Sequence, residues 1–326
     1  MKSFAGRIAV VTGGGSGMGR ALVRQLAAEG ASVAMCDVSR QSMDETRAIC
    51  EADGLKPGAR ITCHVVDVSD EDQVARFRNE VAAEHATDKI HLLFNNAGIG
   101  AGGSLFTDSR ANWEKTFNVC WFGVYYMTRA FLPMLVKADE GHITNTSSVN
   151  GFWASLGPES PHTAYSAAKF AVKGFTEALI TDLRVNAPHI GCSLVMPGYI
   201  GTNIVANSRM VLSGRDTPRL SDLEVRRARS RMRQQGVDDA AISDDDIRAR
   251  IQRQAQNFHD RAPTTAAGAA TIILDAVKAG RWRVLVGEDA HRLDERVRAN
   301  PEGAYDPDFG GLDTTTGISA SAPRLS

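Results

Sequence analysis

The sequence predicts an α/β protein built on a doubly wound parallel β-sheet of about seven strands. Short apolar runs alternate with longer helical patterns, which is typical of parallel strands joined by crossover helices. Residues 1–298 show no shift in composition that would divide them, so we expect one domain. Residues 299–326 are rich in glycine, serine and threonine and are predicted to be a C-terminal arm or tail. The predicted strands are Ile8–Val11, Ser32–Cys36, Ile61–Val66, Leu92–Phe94, His142–Thr146, Gly191–Val195 and Val284–Val286.

A glycine-rich turn follows the first predicted strand and leads into a helix. Glycines at such a turn let the backbone approach a pyrophosphate, and the start of the helix supplies unpaired N–H groups. The strict G-x-G-x-x-G pattern is absent, but the order of strand, turn and helix favours a dinucleotide site over a structural loop. The residues predicted to bind the cofactor here are Gly13, Ser16, Gly17, Met18 and Gly19.

An aspartate ends the second strand, eighteen residues after Gly19. The carboxylate of Asp37 can accept both ribose hydroxyls and repels a 2′-phosphate, so it favours NAD over NADP. Arg40 nearby leaves NADP open, and a turn or helix-capping role is the alternative for Asp37. Further cofactor residues are expected at the carboxyl ends of the third and fourth strands, where such sheets bind ligands: Asp67, Val68, Asn95, Ala97 and Gly98.

Tyr165 and Lys169 are four residues apart, so on a helix they lie on one face. A lysine ammonium near a tyrosine hydroxyl favours the phenolate. This spacing alone is common in helices. The ordered motifs that precede Tyr165 and Lys169 are what favour a functional pair over a chance one.

Together these motifs resemble a short-chain dehydrogenase/reductase. The resemblance implies a Rossmann-like sheet, a nicotinamide cofactor, and hydride transfer between an alcohol and a carbonyl compound. The residues that carry it are Thr12 to Gly19, Asp67, Asn95 to Gly98, Asn118, Ser147, Ser148, Tyr165, Lys169, Pro197, Gly198 and Thr202.

The resemblance also implies a role for each catalytic residue. Tyr165 is the general acid in reduction and the base in oxidation, while Lys169 lowers the tyrosine pKa and holds the nicotinamide ribose. Ser148 binds the substrate oxygen, with Ser147 as the alternative. Asn118 holds a water that relays protons, and a buried structural amide is the alternative. The turn after the sixth strand contacts the nicotinamide through Pro197, Gly198, Ile200 and Thr202.

The chain departs from the family pattern in the loop before Tyr165. Seventeen positions separate this tyrosine from the catalytic serine, which is more than usual. Phe152 and Trp153 in the loop, together with Tyr199, are predicted to line an apolar substrate pocket, with local packing as the alternative. His162 is predicted to be a solvated loop histidine, with a contact to substrate as the alternative.

A second departure is the long stretch 203–262, which is predicted to be a helical lid over the substrate. Capping boxes and apolar spacing predict two helices, at roughly 222–235 and 244–258. The first is rich in arginine. An anionic substrate tail or an RNA is one interpretation, and a solvated face paired with the acidic run 238–246 is favoured.

Charge and cysteine usage exclude several protein classes. A net charge of −1 argues against a nucleic-acid partner, and no apolar run reaches the roughly 18 residues of a membrane span. We expect no signal peptide, because no apolar run followed by small residues precedes the first predicted strand. The five scattered cysteines lack disulfide or metal-ligand spacing, which predicts free thiols, no metal site and a cytoplasmic location.

These observations predict an NAD-dependent oxidoreductase that interconverts a secondary alcohol and a ketone, with Tyr165 as general acid/base and a hydrophobic or bulky substrate. A 3-oxoacyl-thioester reductase using NADPH is the enzymatic alternative, against which Asp37 speaks. The alternative from another class is a non-catalytic, nucleotide-binding regulatory protein. The resemblance further implies a homodimer or homotetramer.

Overall fold

The computed structural model describes residues 1–101, 103–157, 161–215, 219–234, 238 and 242–311. All seven predicted strands are present and form one sheet. They are β1 (Ile8–Thr12), β2 (Ser32–Asp37), β3 (Ile61–Val65), β4 (Leu92–Asn95), β5 (Gly141–Thr146), β6 (Ile190–Pro197) and β9 (Arg283–Val286). Two short strands, β7 (Ile200–Gly201) and β8 (Thr264–Thr265), form a separate pair.

The main sheet is parallel throughout, in the order β3-β2-β1-β4-β5-β6-β9. Val10 of β1 lies between Ala34 of β2 and Leu93 of β4. The chain leaves β1 toward one edge and returns at β4 toward the other, so the carboxyl ends of these two strands form a topological switch point. Ligands bind to open α/β sheets at such points.

Helices cover both faces of the sheet, as a doubly wound fold requires. One core joins Ala9 and Val11 to α1 and α10, and the other joins Val10 to α3, α5 and α6. The predicted fold class is therefore confirmed. The helices are α1 (Gly17–Ala28), α2 (Arg40–Asp53), α3 (Glu71–Glu84), α4 (Arg110–Phe117), α5 (Gly123–Val136), α6 (Thr163–Asn186), α7 (Ile204–Ser213), α8 (Asp222–Gln234), α9 (Asp244–Asp260), α10 (Ala266–Lys278) and α11 (Glu288–Ala299).

A π-helical turn, Asn118–Phe122, joins α4 to α5. Among the described residues, the combined helix Arg110–Val136 is the one stretch long and apolar enough to cross a membrane by length and composition. Half of its apolar window is buried in the protein, and Met127 and Phe131 are fully enclosed. Its packing is that of a core helix beside the sheet.

The two helices predicted in the stretch 203–262 are present as α8 and α9, and their role as a substrate lid stays a prediction. Val225 and Ile247 are fully buried between them. Arg229 of α8 pairs with Asp244 of α9 at 2.7 Å. The favoured interpretation of α8 is a solvated face that pairs with the acidic run 238–246, and the ion pair between Arg229 and Asp244 agrees with it. The sequence did not predict the third lid helix, α7.

The chain beyond residue 299 does not leave the body of the protein at once. Ala304 is buried, and its carbonyl accepts a 2.7 Å hydrogen bond from the indole Nε1 of Trp153. Residues 300–311 therefore pack on the loop before α6, and the C-terminal arm or tail over 299–326 stays a prediction. Residues 312–326 lie outside the described part of the chain.

Candidate active site

The glycine-rich turn after β1 has the backbone geometry that a dinucleotide site needs. Gly13 and Gly17 have φ angles of +69° and +52°, which favour glycine. At Gly19 a β-carbon would overlap the carbonyl oxygen of Gly13, so only glycine lets the start of α1 pack this closely on the turn. These residues fit a pyrophosphate at the helix N-terminus.

Asp37 lies directly behind this turn. Its Oδ2 accepts a hydrogen bond from the Gly15 N–H at 3.0 Å, and its Oδ1 accepts one from Ser39 at 3.1 Å. Burial raises the pKa of Asp37, while these N–H groups act against that rise. Arg40 is exposed and pairs with Asp44 at 3.0 Å. The side chain that lies at the turn is therefore the Asp37 carboxylate, and the preference for NAD stays a prediction.

Thr12 joins the two strands at the switch point. Its Oγ1 accepts hydrogen bonds from the N–H groups of Asn96 and Ala97, both at 2.9 Å. The side chain of Asn96 donates to the Thr12 carbonyl at 3.0 Å. The loop after β4 is thus held against the glycine turn, with Ala97 and Gly98 at the cleft between them.

Asn95 was predicted to bind the cofactor, but its side chain points into the protein. Its Nδ2 donates to Asn145 Oδ1 at 2.8 Å and to Thr128 Oγ1 at 3.0 Å. The side chain therefore links β4 to β5 and α5. The physical reason is the strand alternation, which turns this position toward the second core.

Asp67, at the end of the third strand, forms an ion pair with Lys115 and accepts a 2.6 Å hydrogen bond from the Ser69 hydroxyl. Burial raises the pKa of Asp67, but Lys115 and Ser69 outweigh it, and the net pKa is lowered. Val68 beside it is buried against Gly123. Lys115 was missed by the sequence reasoning; its place one helical turn before Asn118 was the available signal.

Tyr165 and Lys169 lie in α6, as the spacing predicts. The ammonium of Lys169 is 5.4 Å from the centre of the Tyr165 ring and donates to the Thr146 carbonyl at 2.8 Å. A β-carbon added at Gly98 would lie 3.5 Å from this ammonium. The pair therefore meets the loop after β4 at the carboxyl edge of the sheet.

The two serines after β5 have different partners. Ser147 Oγ donates to the Lys169 backbone carbonyl at 2.7 Å and is buried. The Ser148 hydroxyl hydrogen-bonds the Tyr165 hydroxyl and accepts the Asn150 N–H at 3.1 Å. Ser147 thus positions α6, and the arrangement favours Ser148 as the residue that meets the substrate.

The expected lowering of the Tyr165 pKa by Lys169 is not found. Burial, with a smaller effect of Cys120, raises the pKa of Tyr165, and the Ser148 hydrogen bond only partly opposes it. Burial also lowers the pKa of Lys169. The spacing predicted correctly that the two residues are close. Burial, however, disfavours the charged form of each side chain more than the neighbouring side chain favours it.

Asn118 begins the π-helical turn, and its carbonyl accepts the N–H of Gly123 five residues later. Such turns inside helices are frequent at functional sites. The proton relay through Asn118 stays a prediction. The same turn places Cys120 fully buried beside Gly98, with its Sγ donating to the Ile99 carbonyl at 3.3 Å. The sequence gave no signal for this cysteine.

Trp153 does not line an open pocket. It is 1% exposed, bonded to Ala304 and 5.7 Å from the Phe309 ring, so local packing, the alternative interpretation, describes it. Phe152 packs partly buried against the same cluster. The reason is the segment 300–311, which covers the loop.

His162 is not a solvated loop histidine either. Its ring is 4.7 Å from the ring of Tyr165, and burial lowers its pKa to about 4. His162 therefore packs on the Tyr165 ring as a neutral group. The third predicted pocket residue, Tyr199, lies against Phe258 of α9 at 4.5 Å between ring centres, where it faces the lid.

The unpredicted helix α7 connects the lid to the cofactor turn. Asn207 donates to Ser16 Oγ at 3.0 Å, and Ser208 Oγ accepts the Gly100 N–H at 2.8 Å. A β-carbon at Gly17 would lie 3.2 Å from the Thr202 methyl group. Gly214 ends this helix in the left-handed conformation, and a glycine at that position was the signal that the sequence offered for the helix end.

Comparisons with known proteins agree with this geometry. Residues 7–211 match the family model for short chain dehydrogenase. SadH of Mycobacterium tuberculosis, named as an oxidoreductase, is 36% identical over 227 residues, covering 70% of this chain and 78% of that protein. The 3-oxoacyl-[acyl-carrier-protein] reductase FabG of Thermotoga maritima is 33% identical, covering 60% and 75%. The meso-2,3-butanediol dehydrogenase of Serratia marcescens is 34% identical, covering 62% and 74%.

Solved structures show the same fold. A short-chain dehydrogenase/reductase from Burkholderia phymatum in complex with NAD has a TM-score of 0.72 and 30% identity, covering 93% of this chain and 95% of that chain. A metagenomic short-chain oxidoreductase in complex with NADP has a TM-score of 0.53 and 29% identity, covering 66% and 94%. The chain belongs to the short-chain dehydrogenase/reductase family of NAD(P)-binding oxidoreductases that act on CH–OH groups.

Proposed function

We propose that this protein is an NAD-dependent oxidoreductase that interconverts a secondary alcohol and a ketone. The observation that supports it most is the meeting of Ser148, Tyr165 and Lys169 at the carboxyl edge of the sheet, beside Gly98. The glycine turn provides the adjoining dinucleotide site. A bound nicotinamide supplies the hydride in reduction and accepts it in oxidation.

Each catalytic side chain then has one task. Ser148 hydrogen-bonds the substrate oxygen, where negative charge develops during reduction. The Tyr165 hydroxyl donates its proton to that oxygen, and the raised pKa of Tyr165 keeps it in the neutral, donating form. Lys169, oriented by the Thr146 carbonyl, is in place to bind the nicotinamide ribose. In the oxidation direction Tyr165 must first lose its proton, so the phenolate depends on positive charge at the site.

The preference for NAD rests on Asp37. Its carboxylate lies at the glycine turn, and a 2′-phosphate there would meet like charge, while Arg40 is paired elsewhere. A hydrophobic substrate is supported by the apolar contact between Tyr199 and Phe258 under the lid. The named activity of the butanediol dehydrogenase supports a secondary alcohol. A 3-oxoacyl-thioester reductase is the second candidate, supported by the FabG relative and opposed by Asp37.

A homodimer or homotetramer belongs to the same proposal. Trp121 of the π-helical turn and Tyr125 of α5 form a half-buried aromatic cluster with Phe175 of α6. Phe170 on α6 is 41% exposed. Such a face is of the kind that subunit interfaces cover. A cytoplasmic location stays a prediction.

The test is a panel of secondary alcohols and ketones, run with NAD(H) and NADP(H) in parallel, on the wild type and Tyr165→Phe. General acid/base catalysis contributes roughly 10²- to 10⁴-fold, so the variant should lose that much of kcat while still binding NADH. Tyr125→Phe is the matched control and should keep its activity. Turnover retained in Tyr165→Phe contradicts the mechanism, and NADH binding without turnover of any compound supports the regulatory alternative.

A further inference from the structure

A buried carboxylate, that of Asp289, lies behind the turn Pro197–Thr202, to which the family resemblance assigns the contact with nicotinamide. The chain leaves β9 through Gly287, whose φ is +99°, and enters α11, where Asp289 stands in the first turn. Asp289 is 2% exposed, and burial raises its pKa. Within the described part of the chain no cation forms an ion pair with it. Burying a carboxylate without a cation destabilises the fold unless hydrogen bonds compensate for the lost water. The hydrogen-bond partners of Asp289 therefore indicate what it does.

The carboxylate holds the turn that follows β6. Its Oδ2 accepts the backbone N–H of Tyr199 at 2.6 Å. A β-carbon at Gly198 would overlap this oxygen, and one at Gly287 would overlap Oδ1. No hydrogen bond of ordinary length reaches Oδ1 from the described residues. Glycine on both sides is therefore what allows the side chain of Asp289 to reach the turn.

The turn Pro197–Thr202 connects the proposed cofactor site to helix α9. It runs from Pro197 to Thr202, and Thr202 lies against Gly17 of the glycine turn. The Tyr199 ring packs on Phe258 of α9, and its hydroxyl donates to the Asn257 carbonyl at 3.3 Å. A shift of the Tyr199 backbone would therefore move both the nicotinamide turn and the contact with α9.

We propose that Asp289 is a positioning residue that fixes the turn Pro197–Thr202 through the Tyr199 N–H, and with it the cofactor and the lid helix α9. The role rests on the oxidoreductase function proposed above, since that function gives the turn its task. Asp294 on the same helix differs: it is 7% exposed and pairs with Arg283 at 2.6 Å and Arg298 at 2.9 Å. Its partners belong to β9 and α11, away from the turn.

This contrast supplies the experiment. Asp289→Asn keeps an oxygen that accepts the Tyr199 N–H, whereas Asp289→Leu keeps the branched shape of the side chain and accepts no hydrogen bond. Asp294→Asn is the matched control on the same helix. Each variant is titrated with NADH, with quenching of tryptophan fluorescence as the readout, and assayed for KM and kcat with the best substrate of the panel.

We expect Asp289→Leu to weaken NADH binding and to raise the KM for NADH and the KM for the substrate by about tenfold or more. This is the range expected when one well-placed positioning contact is lost. Asp289→Asn should stay within about threefold of the wild type. Asp294→Asn should lower the melting temperature but leave the NADH dissociation constant unchanged.

Two results would overturn the proposal: NADH binding by Asp289→Leu equal to that of the wild type, or an equal loss in Asp289→Asn and Asp289→Leu. If Asp289→Leu does not fold, Asp289→Ser replaces it, because a hydroxyl there is too short to reach the Tyr199 N–H. A wild type that does not bind NADH refutes the proposed function instead, so the two failures are separate.

Discussion

The packing of the C-terminal segment on the active-site loop leads to a prediction for Trp153→Phe. The indole N–H donates to the Ala304 carbonyl at 2.7 Å, and both residues are 1% exposed. Phenylalanine keeps most of the ring but removes the donor, which leaves a buried carbonyl without its partner. Such a loss costs about 1–3 kcal/mol. The smaller ring also loosens the contact with Phe309, so we expect the upper part of that range.

The free energy of unfolding, measured by urea denaturation, checks this magnitude. Trp282→Phe is the matched control, because Trp282 is 45% exposed and its substitution should change stability by less than about 0.5 kcal/mol. Removal of residues 300–326 should destabilise the protein at least as much as Trp153→Phe. If Trp153→Phe behaves like the control, residues 300–311 do not pack on the loop and the reasoning is refuted.

Two further predictions concern pH and assembly. Burial lowers the pKa of His142 to about 4, so the unfolded chain, with a pKa near ~6.5, binds the proton first and stability should fall as pH drops from about 6.5 to 4. His142→Gln should flatten that slope by up to about 1.4 kcal/mol per pH unit relative to the wild type in urea titrations, and an unchanged slope contradicts it. Tyr125→Arg places a charge on the aromatic face of α5 and α6, and should shift the protein to a smaller species in size-exclusion chromatography with light scattering. An unchanged mass would place the interface elsewhere.

The parts of the site that the sequence predicted are those governed by local chemistry. The glycine turn is an example, because Gly13, Gly17 and Gly19 are required by backbone angles and by contacts within seven residues. The spacing of Tyr165 and Lys169 is another, since four residues along a helix always place two side chains on one face. The strands were predictable for the same reason, from short apolar runs between helical patterns.

The parts that escaped prediction depend on residues far away in the chain. Strand alternation turns Asn95 inward, but the partners that bind its side chain, Asn145 and Thr128, lie fifty and thirty-three positions later. Asp289 meets Tyr199 ninety positions away. The sign of the Tyr165 pKa shift is a third case: the spacing shows that a lysine is near, but only the surrounding packing determines how much water both groups lose.

The lengthened loop before Tyr165 and the C-terminal segment 300–311 pack against each other. The loop between Ser148 and Tyr165 carries extra apolar side chains, and a tryptophan left uncovered there would place a large apolar ring in water. The segment 300–311 covers Trp153, and the Tyr305 hydroxyl accepts the N–H of Ala154 at 3.1 Å. Asn150 connects this loop to Ser148. Its side chain donates hydrogen bonds to the carbonyls of Trp153 and Ser155, and its backbone N–H donates to the Ser148 hydroxyl. Since the covered loop leads directly to Ser148, we infer that residues 300–311 stabilise the proposed active site as well as the fold.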